Sequence, residues 1–214
     1  MYRRAILAAA ILAAIAASSC RRETALQVRY LPELVAKSHD VLPSTTIAIL
    51  PVTGALASGE YRVGATYNPD GSLRTSLAVR DVGALVTQAV ARCLSDAGLK
   101  ASIADSTPAG SRFTLATEIE SIAVDKHFAA EQTIHGQYFT MVARVKLRFT
   151  LSSSGHPNLY SVTTNGIETE PPQPVGGEAF LPLETEPAES LSVAMSRAIG
   201  ALVLQPDFRR ALAG

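Results

Sequence analysis

Residues 141–151 read Met-Val-Ala-Arg-Val-Lys-Leu-Arg-Phe-Thr-Leu. Met141, Ala143, Val145, Leu147, Phe149 and Leu151 alternate with Val142, Arg144, Lys146, Arg148 and Thr150. A period of two over this length marks a β-strand with one face in a core and the other in water. Upstream, Phe113, Leu115, Thr117 and Ile119 alternate with Thr114, Ala116, Glu118 and Glu120, a strand continuing toward Val124. Downstream, a turn at residues 154–158 leads to Tyr160, Val162 and Thr164, which begin a third strand running to about Thr169. Three such neighbours form an antiparallel meander with one face to cover.

The cover comes from two helical patterns. Val82, Leu85, Val86, Ala89, Val90, Cys93, Leu94 and Ala97 recur at helical spacing, with Asp81 as the expected N-cap and Gly98 as the C′ stop. The second helix is predicted from about Glu186 to Leu204, with Pro187 in its first turn. Leu191, Met195, Ala198, Ile199, Leu202 and Val203 make its stripe; Pro206 ends it, and residues 208–212 add a short turn.

Residues 45–52 are apolar on both faces and predict a central strand, and Leu26, Val28 and Tyr30 a brief earlier one. In residues 54–80, Tyr61, Val63, Ala65 and Tyr67 alternate up to a turn signal, Asn68-Pro69-Asp70-Gly71, consistent with a hairpin. With no assignable core face, this segment is expected to be a mobile or partner-facing loop. The run Pro171-Pro172-Gln173-Pro174-Val175-Gly176-Gly177 is expected to be an extended connector. The fold class predicted is α+β, a two-layer domain with a mostly antiparallel sheet and two long helices packed on one face.

The amino end carries a different signal. Arg3 and Arg4 precede an uncharged apolar run, residues 5–17, followed at once by small residues. As a helix that run reaches about 20 Å, short of the ~30 Å hydrocarbon core, so it reads as a signal peptide over residues 1–19. Ala17-Ser18-Ser19-Cys20 resembles the lipobox of bacterial lipoprotein precursors, with Ala17 where Leu is usual and Ser19 where Gly or Ala is usual. Both are tolerated variants. The expectation is a mature chain beginning at a lipidated Cys20, a tether over residues 20–44, and one domain over residues 45–214. The bland alternative is an ordinary signal peptide that leaves Cys20 an incidental thiol. Several acyl chains anchor far more firmly than one.

Without Arg3 and Arg4, 17 basic side chains stand against 19 acidic ones, so no global field favours nucleic acid. With Cys20 acylated, Cys93 is the one remaining cysteine, which excludes an internal disulfide. Its place on an apolar helical stripe makes it a core residue rather than a nucleophile.

The chain resembles the YajG-like lipoproteins of Gram-negative bacteria. The resemblance rests on Cys20, the strand at residues 45–52 leading into a long loop, and Arg80-Asp81 opening a helix that ends Asp96-Ala97-Gly98-Leu99. It continues through the strands at residues 113–124 and 138–151 to the closing helix and its tail. What it implies is a non-enzymatic lipoprotein of the envelope, distantly like auxiliaries of lipid-transport or lipopolysaccharide-assembly systems. By the same resemblance, Arg21 after the cysteine implies the outer membrane, periplasmic side, with the inner membrane as the alternative.

No phosphate-binding glycine loop, Gly-x-Ser-x-Gly, His-Glu-x-x-His or Cys-x-x-Cys appears. His39, His127, His135 and His156 lack ligand spacing; His127 and His135 share a polar loop with Glu131, but no metal or cofactor is expected. Arg144, Lys146 and Arg148 project from one face of one strand. They form either a strip for an anionic partner, such as lipid phosphates, or cross-strand partners for Glu118 and Glu120, the reading favoured. The function expected is binding or scaffolding, with the membrane reached through the lipid and an envelope protein as partner. The alternative is an auxiliary lipoprotein of lipid or lipopolysaccharide transport that binds lipid in an apolar cavity of several hundred Å³.

Overall fold

The structure, a computed structural model, describes residues 23–35, 45–108, 111–133, 136–175 and 185–213. The expected signal peptide, Cys20 and the connector's Gly176 and Gly177 lie outside the described residues.

Among the described residues eight strands share one sheet. They are β1 (Glu23–Ala25), β2 (Thr46–Ile49), β3 (Glu60–Tyr67), β4 (Leu73–Arg80), β5 (Lys100–Ile103), β6 (Phe113–Thr133), β7 (Gly136–Ser153) and β8 (His156–Val175). Three helices accompany them, α1 (Val82–Asp96), α2 (Thr185–Val203) and α3 (Pro206–Ala213). The order is β1-β4-β3-β6-β2-β5, with β7 pairing β6 and β8.

The β6–β7–β8 meander is antiparallel as expected. The rest corrects the expectation of a mostly antiparallel sheet, because β1–β4, β2–β5, β2–β6 and β3–β6 are parallel pairs. β6 explains how: along one edge it receives β2 at residues 113–115 and β3 at residues 124–127, with an isolated bridge from Thr53 to Glu118 between them. A strand this long can seat two shorter ones end to end.

Residues 60–80 are also corrected. The turn at Asn68 is there, with the Asn68 amide donating to Ser72 O at 2.9 Å. Its arms, however, are sheet strands, with Val63, Ala65, Leu77, Ala78 and Val79 buried. Val63 and Ala65 keep the alternation with Tyr61 and Tyr67 through Gly64, where the register against β4 shifts and the backbone presses on β6. The presumed proline connector is corrected in turn. β8 runs through Pro171, Pro172 and Pro174 to Val175, paired with β7 only. Prolines are tolerated there because an edge strand has a side with no ladder to complete.

β7 buries Met141, Ala143, Val145, Leu147, Phe149 and Leu151. α2 crosses β7 and β8 and touches α1. It sits unusually close to β8: a Cβ on Gly166 would lie 1.7 Å from Ala194 O, and Thr164 Oγ1 donates to Ala198 O at 2.7 Å. Asp81 precedes α1 in the left-handed region (φ 50°, ψ 39°) and makes no side-chain cap bond, contrary to expectation. Gly98 ends α1 with φ +93°, and Leu99 N donates to Leu94 O at 3.0 Å, as a C′ glycine allows.

Candidate functional site

Among the described residues an apolar cleft of about 390 Å³ opens beside the sheet. Its floor and sides are Val79 of β4, Val82 and Leu85 of α1, Ile122 of β6, Val145 of β7, and Leu191 and Met195 of α2. The remaining wall is the amino-terminal segment, with Leu26 and Val28. Its polar lining side chains are Gln27 and Arg80, and Arg80 is already occupied by Glu60 at 3.1 Å. The cleft therefore offers hydrophobic surface with little to hold a polar ligand, and lies toward the small end of the ~300–1,000 Å³ typical of ligand sites. It draws on six elements whose juxtaposition no local pattern announces.

A second cavity of about 340 Å³ is bordered mainly by hydroxyls, from Thr107, Ser111, Thr114, Ser152, Ser153 and Ser154, with Leu50, Pro108 and Ala116.

The basic strip lies across from the acidic pair. Lys146 Nζ is 2.8 Å from Glu120, while Arg148 reaches Glu118 at 3.5 Å and also pairs with Glu120. Glu118 directly opposes Arg148; a register shift between Ile119 and Ser121 leaves Glu120 without an opposite residue, and it bridges Lys146 and Arg148. The Lys146 hydrogen bond, with further help from Arg148, holds the Glu120 carboxyl below the usual carboxylate range. Arg144 is exposed with no acidic partner among the described residues.

Sequence reading missed Lys126, which is 1% exposed. It pairs with Glu186 in the first turn of α2, and its ammonium lies 3.7 Å from the Phe139 ring centroid. The available signal was its inward register with Val124 and Phe128. His127 stacks on Tyr67 at 4.5 Å. Among the described residues no group of three or more His, Cys, Asp or Glu could hold a metal; His135 lies outside them. Cys93 is buried, its thiol pushed up to about 11 chiefly by burial. The Tyr30 hydroxyl is buried beside it and finds no well-formed hydrogen bond; burial raises the phenol well above its ordinary value. Among the described residues no helix is long and apolar enough to cross a membrane.

No family model and no curated protein matches the chain. Among solved structures it is similar to a Xanthomonas campestris protein of family-model DUF330, with a TM-score of 0.50 and 16% identity, covering 85% of this chain and 92% of that one. A PelC dodecamer from Paraburkholderia phytofirmans gives 0.37 and 15%, covering 76% and 92%. A putative neuraminyllactose-binding hemagglutinin homolog from Helicobacter pylori gives 0.38 and 8%, covering 84% and 88%. The likeness to the Xanthomonas protein is one of fold.

Proposed function

We propose that this chain is a non-enzymatic, lipid-anchored binding protein of the bacterial envelope whose cleft receives one acyl chain of a lipid. The observation that carries this reading is the apolar cleft, with its small volume and its sparse polar lining. Each methylene moved from water into such a site contributes ~0.8 kcal/mol, so a hydrocarbon chain is the ligand best matched to these walls. A lipidated Cys20 would supply it locally. Ala25, a cleft residue, is five residues beyond Cys20, at most about 18 Å of extended chain at ~3.6 Å per residue, so the cleft would face the bilayer holding the anchor. The outer membrane, periplasmic side, is the location proposed, and the unit held there is the domain over residues 45–214 together with residues 23–31, which pack on it as β1 and the cleft wall.

The test is transfer of a fluorescent palmitate analogue from vesicles to the purified protein. Uptake that Leu85→Lys abolishes with unchanged thermal unfolding supports the reading; a protein that takes up no label refutes it. The anchor is tested separately, since Cys20→Ser should remove acyl mass and release the protein from membranes.

A second reading, a scaffold for an anionic partner, is favoured only by Arg144, which projects beside Lys146 and Arg148 and has no acidic partner among the described residues. Crosslinking in native membranes tests it, and recovery of the protein alone at several linker lengths counts against it.

A further inference from the structure

The segment closing one side of the cleft is fastened unlike the other walls. β1 lies parallel to β4 through three residue pairs, and Leu26 N then donates to Ala78 O at 2.7 Å. From there the chain leaves the sheet and runs along α2. Arg29 N donates to Ser192 Oγ at 3.0 Å, and Leu31 N to Ser196 Oγ at 2.8 Å. The match is geometric: two residues of extended chain advance ~6.6 Å, and four residues of helix ~6 Å. Each hydroxyl proton is committed to the preceding helical turn, Ser192 to Ala188 O at 2.6 Å and Ser196 to Ser192 O at 2.8 Å. The serine lone pairs are thus left to receive the strap.

Strand β1 itself buries none of its side chains; Leu26 and Leu31 are the buried apolar residues of residues 23–31. The opposing walls, by contrast, are fully buried residues of the main elements: Val79, Val82, Val145, Leu191 and Met195. The strap can leave without breaking the β6–β7–β8 ladder or the α2 contacts with it.

We infer that residues 23–31 are a movable gate, and that an acyl chain reaches the cleft by release of the Arg29–Ser192 and Leu31–Ser196 bonds. The inference rests on the acyl-site reading and adds its regulation. The gate begins three residues after Cys20, so tension on the anchor would act directly on the movable wall.

Cys93 provides a native reporter, because the hydroxyl of Tyr30 in the strap is buried beside its thiol. The experiment follows maleimide labelling of Cys93 in the full chain by peptide-resolved mass spectrometry, beside the association rate of the fluorescent palmitate analogue. Ser192→Ala with Ser196→Ala should raise both rates on the order of tenfold, as expected for two lost hydrogen bonds. A disulfide lock, Glu23→Cys with Ser76→Cys at paired positions of β1 and β4, should slow both until reductant is added. A folding defect would accelerate labelling in the lock as well, so slowing supports the gate. Probe uptake at an unchanged rate in the locked protein overturns the gate alone. Failure of every form, wild type included, to bind the probe overturns the acyl site, and the gate falls with it.

Discussion

Lys126 on β6 and Glu186 in the first turn of α2 form an ion pair in which the lysine is enclosed while the glutamate keeps 27% of its side-chain surface exposed. The ammonium also faces the Phe139 ring, so the pair fastens the start of α2 to the far end of the meander. Removing one partner of a buried pair costs about 3–5 kcal/mol because a charge is left stranded; the exposure of Glu186 reduces this to about 1–3 kcal/mol. Glu186→Gln should therefore destabilise the protein more than Lys126→Met, which removes the charge and keeps most of the volume. Urea unfolding of both variants checks the order, and an equal or reversed order would mean that the ammonium is not held by Glu186.

Gly166 sets the distance between α2 and the sheet. A methyl group there would overlap Ala194 O, a backbone atom unable to rotate away, so the helix must shift as a body. Gly166→Ala should cost about 1–3 kcal/mol, the range for overpacking a core. Because Leu191 and Met195 flank Ala194 and line the cleft, the same substitution should weaken palmitate-analogue binding. Denaturant midpoint and probe affinity should fall together; a loss of stability with unaltered affinity would separate the helix position from the site.

What the sequence made legible was local. The meander followed from the alternation at residues 141–151, and both long helices from their stripes, because each pattern is written within one element. Parallel pairing was not legible, since β2 and β3 find β6 across long separations that no local period records. The prolines of β8 misled because their acceptability depends on an edge position that only the assembled sheet defines. The Glu118–Glu120 partnership with Lys146 and Arg148 was legible as adjacent-strand chemistry. The cleft was not, being a space between elements, and Lys126 was hidden because a lysine on an inward register needs a distant acid to make it tolerable.

Asp81 gives a test of backbone strain against capping. An aspartate that caps a helix loses a few tenths of a kcal/mol on replacement by glycine. Here the residue is left-handed with no side-chain bond to the helix, and glycine adopts that conformation at little steric cost. Asp81→Gly is expected to leave stability unchanged or raise it by up to about 1 kcal/mol, and Asp81→Ala to lower it by about 1 kcal/mol. Thermal unfolding reads the sign, and a clear loss in the glycine variant would restore the capping role.

Glu120 should govern part of the response to acid. Its hydrogen bond from Lys146, aided by Arg148, lowers its folded-state pKa below the unfolded value near ~4.3. The resulting stabilisation is complete above that unfolded value and disappears as pH falls through the lower folded one. Glu120→Gln should therefore lose less of its urea midpoint than the wild type between neutral pH and about pH 3, with the difference confined to the acidic side. The substitution also releases Lys146, so beside Arg144, which has no acidic partner among the described residues, the strip gains free positive charge. If that face meets anionic lipid, the variant should bind phosphatidylglycerol vesicles more tightly than wild type at low salt, and added salt should erase the gain because exposed charges are screened. Unchanged vesicle binding would leave the strip a structural pairing of neighbouring strands.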